Sequence, residues 1–278
     1  KLISQQQQTI SQHQQTISQQ QKTISQQQES LESFKSQQQQ FLKSFNWPAL
    51  ELLVKKSESE VPIIENTLEL KNNISLRKYK ITLGFYHGIY QNFPGSGYID
   101  FYNNNLIVLS SLGILMFKNE IRNTEENFLQ IKNNINDFID IKQFEKKGSF
   151  SLKDMLIFNK KVFISYTEEI REDCWNTSVI YGDIDFENIL FKKLFSAKEC
   201  VHSTNNIDNE FEPLQSGGKI FNFNDKSILL SVGDYRSRHL AQNINSVNGK
   251  IIRVNINNGD YEIISMGHRN PQGLFFDK

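Results

Sequence analysis

The chain has 278 residues, and its 31 Lys and Arg residues balance its 31 Asp and Glu residues. This balance gives no electrostatic field that attracts nucleic acid, so the sequence argues against a nucleic-acid-binding protein. Hydrophobic residues make up 38% of the chain, an average over a polar N-terminal arm and a more apolar remainder. No stretch reaches the roughly 18 uncharged apolar residues of a membrane span, so no transmembrane segment is predicted.

The N-terminal arm, residues 1–45, has the heptad pattern of a Gln-rich coiled coil. Its apolar a positions are Ile3, Ile10, Ile17, Ile24 and Leu31. The d positions are polar until Phe34 and Phe41. This pattern predicts an α-helical stalk for self-association, and isoleucine at successive a positions favours three or more strands, hence a trimer. A disordered Gln-rich tract is the alternative, because Gln and Ser bury little apolar surface.

The boundary after the arm is marked by Trp47-Pro48, because proline neither continues the hydrogen-bond ladder nor fits the preceding helical turn. Residues 46–80 are interpreted as a linker with short strands. Residues 81–278 then form the second, all-β domain.

Short apolar runs in this domain alternate with turns rich in Asn, Gly and Asp. The predicted strands are Tyr98–Tyr102, Leu106–Leu109, Ile114–Phe117, Val162–Tyr166, Ile220–Phe223 and Ile228–Val232. Asn103-Asn104-Asn105 and Asn224-Asp225-Lys226 separate neighbouring strands and accept the backbone angles of tight hairpins. The layout is typical of meander sheets. Asn123 to Asp140 has near-helical spacing of apolar residues, and both a helical insertion and an irregular strand pair fit it.

The chain has two cysteines, Cys174 and Cys200. Their spacing is not that of a zinc site, and a disulfide and two buried thiols are both compatible with it. Asn73 and Asn176 begin formal glycosylation sequons, which chance explains in so Asn-rich a chain.

Five short motifs follow one another in fixed order near the C-terminus: Gly217-Gly218-Lys219-Ile220, Gly233-Asp234, Ala241-Gln242, Gly249-Lys250-Ile251-Ile252-Arg253 and Gly267-His268-Arg269-Asn270-Pro271-Gln272-Gly273. This order resembles that of the glucose/sorbosone dehydrogenase family, the soluble quinoprotein sugar dehydrogenases. The resemblance covers about residues 80 to 278. It implies a six-bladed β-propeller, of which this chain holds about the first three to four blades and which continues beyond Lys278.

The resemblance also implies a site for pyrroloquinoline quinone (PQQ). Gln215 stands where the family has the histidine that accepts the sugar hydroxyl proton, and Asp234 matches the carboxylate that orients this histidine. Arg269 and Asn270 match the pair that meets the quinone, with Gln242 as a further cofactor contact. An amide has no proton affinity near pH 7, so Gln215 cannot act as a general base. The family's calcium site lies in later blades, and no metal ligands are expected in this chain.

Two histidines lie near these motifs, and His268 is not offered as a replacement base. His268 falls at a variable position of the family motif, which argues against it. His239 follows Asp234 in a loop, and a surface histidine is the favoured interpretation over one that swings toward the site.

Three functions follow as hypotheses. The first is a PQQ-dependent aldose dehydrogenase that transfers a hydride from sugar to quinone, an oxidoreductase activity that Gln215 argues against. The second is a catalytically inactive propeller that binds carbohydrate or protein and is displayed on an oligomeric coiled-coil stalk, where several copies raise avidity. The third is a purely structural surface component. An extracytoplasmic location is expected for each.

Overall fold

The computed structural model describes residues 13–14, 16–33, 60–61, 63–70, 74–81, 97–110, 113–120, 128–139, 141–146, 150–275 and 277. The chain divides into two compact units, Lys1–Asn46 and Trp47–Lys278.

The described part of the first unit is helical, and its main helix, α1, covers residues 16–33. Three of the predicted a positions lie on it. Ile17, Ile24 and Leu31 are each about half exposed. Residues seven positions apart lie on one face of a helix, and this face is exposed in a single chain. The helix is confirmed over these residues, whereas its pairing with other helices remains a prediction. Ile3, Ile10, Phe34, Phe41 and Trp47-Pro48 lie outside the described residues.

The described part of the second unit is mostly β. Its strands, in chain order, are β1 (Glu60–Val61), β2 (Ile63–Leu70), β3 (Ile74–Ile81), β4 (Gly97–Tyr102), β5 (Asn105–Ser110), β6 (Leu115–Lys118), β7 (Phe128–Gln130), β8 (Lys132–Asn133), β9 (Leu152–Phe158), β10 (Lys161–Arg171), β11 (Cys174–Asp183), β12 (Asn188–Ile189), β13 (Lys192–Phe195), β14 (Val201–His202), β15 (Gly217–Asn224), β16 (Ser227–Val232), β17 (Lys250–Asn255) and β18 (Tyr261–Met266). Two short helices, α2 (Ile141–Lys146) and α3 (Arg238–Gln242), and two 3₁₀ turns, Ile135–Asp137 and Pro213–Gln215, connect them.

Three sheets account for most of these strands. The first has the order β1-β7-β6-β5-β4, the second β13-β11-β10-β9 with β14 also on β11, and the third β15-β16-β17-β18. All pairs within them are antiparallel. The strands predicted from sequence are therefore confirmed. The β4–β5 hairpin turns through Asn103 and Asn104, whose φ angles are 47° and 65°.

Two smaller elements complete the unit. The β2–β3 hairpin pairs Leu68 with Leu76 and Leu70 with Ile74, and these side chains are about half exposed. The short strands β8 and β12 pair in parallel.

A helical insertion over 123–140 is wrong for the described part of that segment. Residues 128–137 form β7, β8 and a 3₁₀ turn instead. The apolar residues near helical spacing pack into the core from irregular backbone, and Ile131, Ile135 and Ile139 are at most 1% exposed. The strand-pair alternative fits this segment.

The three sheets are connected through β4, β9 and β15, the edge strand with which the consecutive strands of each sheet begin, because β9 contacts β4 on one side and β15 on the other. An aspartate side chain reinforces each junction, half-buried in the case of Asp100 and buried in the case of Asp154. Asp100 Oδ2 accepts a hydrogen bond from the backbone N–H of Ile157 at 2.6 Å, and Asp154 Oδ2 accepts one from Ile220 at 2.8 Å. The first strands of successive sheets are thus held side by side.

Apolar side chains fill the spaces between the sheets. One cluster lies between the first and second sheets and includes Leu109, Leu115, Val162 and Ile180. Another lies between the second and third sheets and includes Phe163, Val179, Leu230 and Val254. Among the described residues, no helix has the length and apolarity needed to cross a membrane.

Candidate functional site

The 3₁₀ turn Pro213–Gln215 forms the centre of the candidate site. Proline begins the turn, where its fixed φ is favourable, and the Glu212 side chain accepts a hydrogen bond from the backbone N–H of Leu214 at 3.1 Å. Strand β15 starts directly after this turn at Gly217. Gln215 is therefore presented at the beginning of the first strand of the third sheet.

Three side chains from outside the turn each bind one of its residues. Lys153 Nζ donates to the carbonyl of Pro213 at 3.4 Å. Asn270 Nδ2 donates to the carbonyl of Leu214 at 3.2 Å, and Arg269 Nε donates to Gln215 Oε1 at 3.1 Å. Asn270 Oδ1 also accepts from the backbone N–H of Gly217 at 3.1 Å. The structure thus brings Gln215, Arg269 and Asn270 together.

Asp234 lies next to this group through its backbone. Its N–H donates to the carbonyl of Arg269 at 2.9 Å. The side chain accepts from the backbone N–H of Arg236 at 2.8 Å, and residues 235 and 236 both have positive φ angles. The residue is 1% exposed, and burial raises the pKa of its carboxyl, an effect opposed by the Arg236 N–H and the Arg269 charge. The hydrogen bond from Arg236 N–H to the Asp234 carboxylate thus stabilises the turn that begins at Asp234.

Gly233 allows the two loops of the site to touch. Its N–H donates a hydrogen bond to the carbonyl of Ser216 at 2.8 Å. Two residues later, the N–H of Tyr235 donates to the carbonyl of Gln215 at 3.1 Å. A Cβ on Gly233 would lie 1.9 Å from Gln215 O, which no side chain can tolerate. Glycine is required here because two backbones approach too closely for a side chain.

A buried amide network supports Gly233 from behind. Asn248 Nδ2 donates to Gly233 O at 3.1 Å, and Asn248 Oδ1 accepts from Asn176 Nδ2 at 3.1 Å. Asn176 Nδ2 also donates to the carbonyl of Glu199 at 2.9 Å, and the Glu199 carboxylate binds Ser246 Oγ at 2.9 Å and the N–H of Val247. Asn176 and Asn248 are fully buried, so the sequon at Asn176 serves the fold.

A disulfide joins the two segments that carry this network. Cys174 and Cys200 are bonded, with Cα atoms 5.2 Å apart. They immediately flank the network, two residues before Asn176 and one after Glu199. Sequence reasoning left the oxidation state open and took Asn176 only as part of a chance sequon. Glu199 and Asn248 were missed because no local motif marks them.

Gln242 lies on α3 at the edge of the site. Its side chain is exposed, and its Nε2 lies 3.4 Å from the position of a Cβ on Gly267, two residues before Arg269. The end of α3 is anchored by Lys250, a fully buried lysine. Its Nζ donates to the carbonyls of Leu240, Ala241 and Asn248 at 2.8 to 2.9 Å. Gln242 is thus held beside the Arg269 segment.

Neither histidine near the motifs is hydrogen-bonded to Gln215 or Asp234 among the residues the structure describes. His239 Nδ1 pairs with Asp208 Oδ2 at 2.9 Å on the surface, and His268 Nε2 lies 2.8 Å from Ser265 Oγ. The surface interpretation of His239 fits this placement.

Lys153 is the titratable group of the site that sequence reasoning missed. As a whole residue it is half-buried, yet its amine lies among enough protein atoms that desolvation lowers its pKa from 10.5 to about 7, against the opposing charge of Glu212. The adjacent Asp154 is an ion-pair partner of Lys219, at 2.9 Å, and burial raises the pKa of its carboxyl. Within the described ranges, no group of three His, Cys, Asp or Glu side chains is arranged to hold a metal ion.

Comparison with protein families gives a match for residues 152–278 to the family described as glucose/sorbosone dehydrogenase. The resemblance drawn from the motifs is therefore confirmed for this region. A comparison with curated proteins gives no significant match.

Solved structures with similar folds include three sugar dehydrogenases. A glucose dehydrogenase is 20% identical, with 63% of this chain and 52% of that chain covered at a TM-score of 0.47. The soluble aldose sugar dehydrogenase of Escherichia coli in its apo-form is 14% identical, with 58% and 43% covered at 0.41. The PQQ-bound aldose sugar dehydrogenase of Streptomyces coelicolor is 13% identical, with 58% and 43% covered at 0.40. The chain spans about half the length of these structures.

Proposed function

Because residues 152–278 match the glucose/sorbosone dehydrogenase family, we propose that this protein is a PQQ-binding propeller of the sugar dehydrogenase type. Its ancestral reaction is hydride transfer from the anomeric carbon of an aldose to the quinone. PQQ, when bound, would supply the two-electron acceptor. The proposal includes a propeller of six blades, of which the three antiparallel sheets would be the first.

The observation that carries the proposal is the convergence of Arg269, Gln215 and Asp234 on one loop junction. Arg269 is exposed, and among the described residues its hydrogen bond is made by Nε. The two terminal nitrogens of the guanidinium can therefore bind a ligand. A guanidinium fork suits a carboxylate or the oxygen of a reduced quinone. PQQ carries three carboxylates, which accept hydrogen bonds. The donors that could bind them are the Arg269 guanidinium, the second Nδ2 hydrogen of Asn270 and the Gln242 amide.

The sheet arrangement supports the propeller. Each sheet is a meander of antiparallel strands, and the first strands β4, β9 and β15 lie next to one another. In a propeller the first strand of each blade borders the central channel. Lys153 and the Gln215 turn would then face the channel end where a cofactor binds.

The experiment that tests the proposal is a calorimetric titration of PQQ, with calcium, into the protein. We expect saturable one-to-one binding that Arg269→Ala abolishes. Arg253→Ala is the matched control, because Arg253 lies at the opposite end of the third sheet and pairs with Glu262 at 2.6 Å. Absence of binding by the wild-type protein would defeat the proposal.

Gln215 determines how much of the reaction survives. Loss of a general base typically lowers a rate by a factor of about 10² to 10⁴. If no other side chain takes the proton, Gln215→His should therefore raise aldose-dependent dye reduction by at least about tenfold in protein that binds PQQ. An unchanged rate would show that a base at this position no longer limits the reaction.

A second candidate is a catalytically inactive propeller that binds carbohydrate or protein on an oligomeric stalk. The Arg269 Nε to Gln215 Oε1 bond favours it, because Gln215 holds a neighbouring side chain and its amide has no proton affinity near pH 7. The exposed Ile17, Ile24 and Leu31 supply the stalk's apolar stripe. Sedimentation should give a trimer that Ile24→Lys dissociates, and a monomeric wild type would contradict the stalk.

We also propose an extracytoplasmic location. The Cys174–Cys200 disulfide supports it, because such bonds persist mainly in oxidising compartments.

A further inference from the structure

Lys153 enters the candidate site from the second sheet. It lies on β9, and its stem crosses the backbone of Gly218 on the neighbouring strand β15. A Cβ on Gly218 would lie 2.3 Å from Lys153 Cβ and 2.9 Å from Lys153 Cγ. Gly218, with φ of 96°, therefore makes the room that the lysine occupies.

The amine of Lys153 ends at the turn that carries Gln215. Its Nζ lies 3.4 Å from the carbonyl oxygen of Pro213, two residues before Gln215. Arg269 and Asn270 bind the other two residues of the same turn. An amine, a guanidinium and an amide thus converge on three consecutive residues.

The chemistry of this amine differs from that of an exposed lysine. Desolvation lowers its pKa to about 7, so an appreciable fraction is neutral near neutral pH. A neutral amine accepts a proton, and a pKa near the working pH is optimal for a general base. The amide of Gln215 has no such capacity.

We propose that Lys153 is the general base of this site and takes over the role that Gln215 cannot perform. The inference rests on the proposed function. The hydroxyl proton at the anomeric carbon would pass to Lys153 Nζ while the hydride on the same carbon passes to the quinone. The sugar loses two electrons and becomes the lactone, and the quinone gains the hydride.

The first test needs no cofactor. Competitive acetylation of the native chain with trace acetic anhydride, followed by mass spectrometry, gives the titration of each lysine from the pH dependence of its labelling. Lys153 should titrate near pH 7, whereas Lys192, exposed on β13, serves as the reference amine in the same sample. Titration of Lys153 near its ordinary value of 10.5 would overturn the proposal.

The second test separates this proposal from the proposed function. PQQ binding and the pH profile of dye reduction are measured for wild type, Lys153→Met, Lys153→Arg and the control Lys192→Met. We expect Lys153→Met to keep PQQ affinity within about threefold, to lower kcat by about 10² or more and to remove the limb of the profile near pH 7. Lys153→Arg should not restore it, because guanidinium stays protonated.

The outcomes are distinct. An unchanged pH profile of Lys153→Met in protein that binds PQQ overturns the role of Lys153 and leaves the proposed function intact. Absence of PQQ binding defeats the proposed function and the base role together. The acetylation result then tells whether the amine itself is unusual, so the two failures are distinguishable.

Discussion

The two ends of the third sheet are built in different ways. At the site end, four strand ends or adjoining loops contribute glycines, and the contacts join segments far apart in sequence, such as Gln215 with Arg269 and Asn176 with Asn248. At the opposite end, the turns are closed locally. Asn224 Oδ1 accepts from the N–H of Lys226 and Asn255 Oδ1 from that of Asn257, each at 2.9 Å. The difference shows that the geometry of the candidate site depends on long-range contacts, whereas a turn depends on its own residues.

A cleft at the locally closed end of the third sheet contains none of the candidate site residues. It has a volume of about 520 Å³ and is lined by residues including Asn224, Lys226, Arg253, Asp260, Tyr261 and Glu262. We place the site at the other end because the convergent side chains and the shifted pKa values of Lys153 and Asp234 are there. The locally closed end also contains one close backbone approach, because a Cβ on Gly259 would lie 2.0 Å from the carbonyl oxygen of Leu194.

The largest effect is expected from Gly233→Ala. The new Cβ would lie 1.9 Å from Gln215 O, so one of the two loops must move. We expect a loss of about 4 kcal/mol or more in the free energy of unfolding, or failure to fold. Urea unfolding measures it, with Gly273→Ala as the control because a Cβ there has no neighbour within 4 Å. Equal midpoints for the two variants would contradict the close approach.

Reduction of the Cys174–Cys200 disulfide should have the next largest effect. The bond closes a loop with a sequence separation of 26 residues. Loop entropy predicts a loss of about 3 kcal/mol, measured as the shift of the thermal midpoint of the Cys174→Ser, Cys200→Ser double variant. Because the bond flanks the network behind Gly233, hydrogen exchange of the Gly233 and Asp234 amides should accelerate more than that of Asn257. Uniform acceleration at both ends would contradict this coupling.

Asn248→Ala compares the two ends directly. It removes the donor to Gly233 O and leaves the fully buried Asn176 without this partner, so we expect a loss of about 2 kcal/mol. Asn258→Ala is the matched control at the other end. Its bond to Asp260 is exposed and local, and its loss should change stability by less than about 0.5 kcal/mol. Similar losses for both variants would remove the distinction between the ends.

The same distinction explains what the sequence predicted. Strands such as Ile228–Val232 and turns such as Asn103-Asn104 were predictable, because short apolar runs and turn chemistry are local properties. Residues 128–137 were ambiguous, because isoleucines of irregular backbone near a core can have almost helical spacing. The structure resolves them as short strands and a 3₁₀ turn.

The candidate site was predictable only through its motif. Gln215, Arg269 and Asn270 came from the resemblance, and the structure brings them together. Lys153 and Asn248 have no motif, and their contacts lie 60 and 15 residues away in sequence. The disulfide likewise depended on a separation of two Cα atoms, which spacing along the chain does not give.

The smallest effect is expected in the pH dependence of stability at the site end. The folded-state pKa of Lys153, about 7, lies below its ordinary value of 10.5. The unfolded chain therefore binds more protons between these values, and stability should rise as pH increases from 7 toward 10.5. Lys153→Met removes this contribution and should flatten the curve by about 1 kcal/mol between pH 7 and 9, a small value because partial exposure screens the shift. Urea midpoints at the two pH values measure it, and Lys192→Met should keep the wild-type slope. A Lys153→Met slope equal to that of wild type would mean that the amine stays charged in the folded protein from pH 7 to 9, and this would also remove the basis for its role as a base.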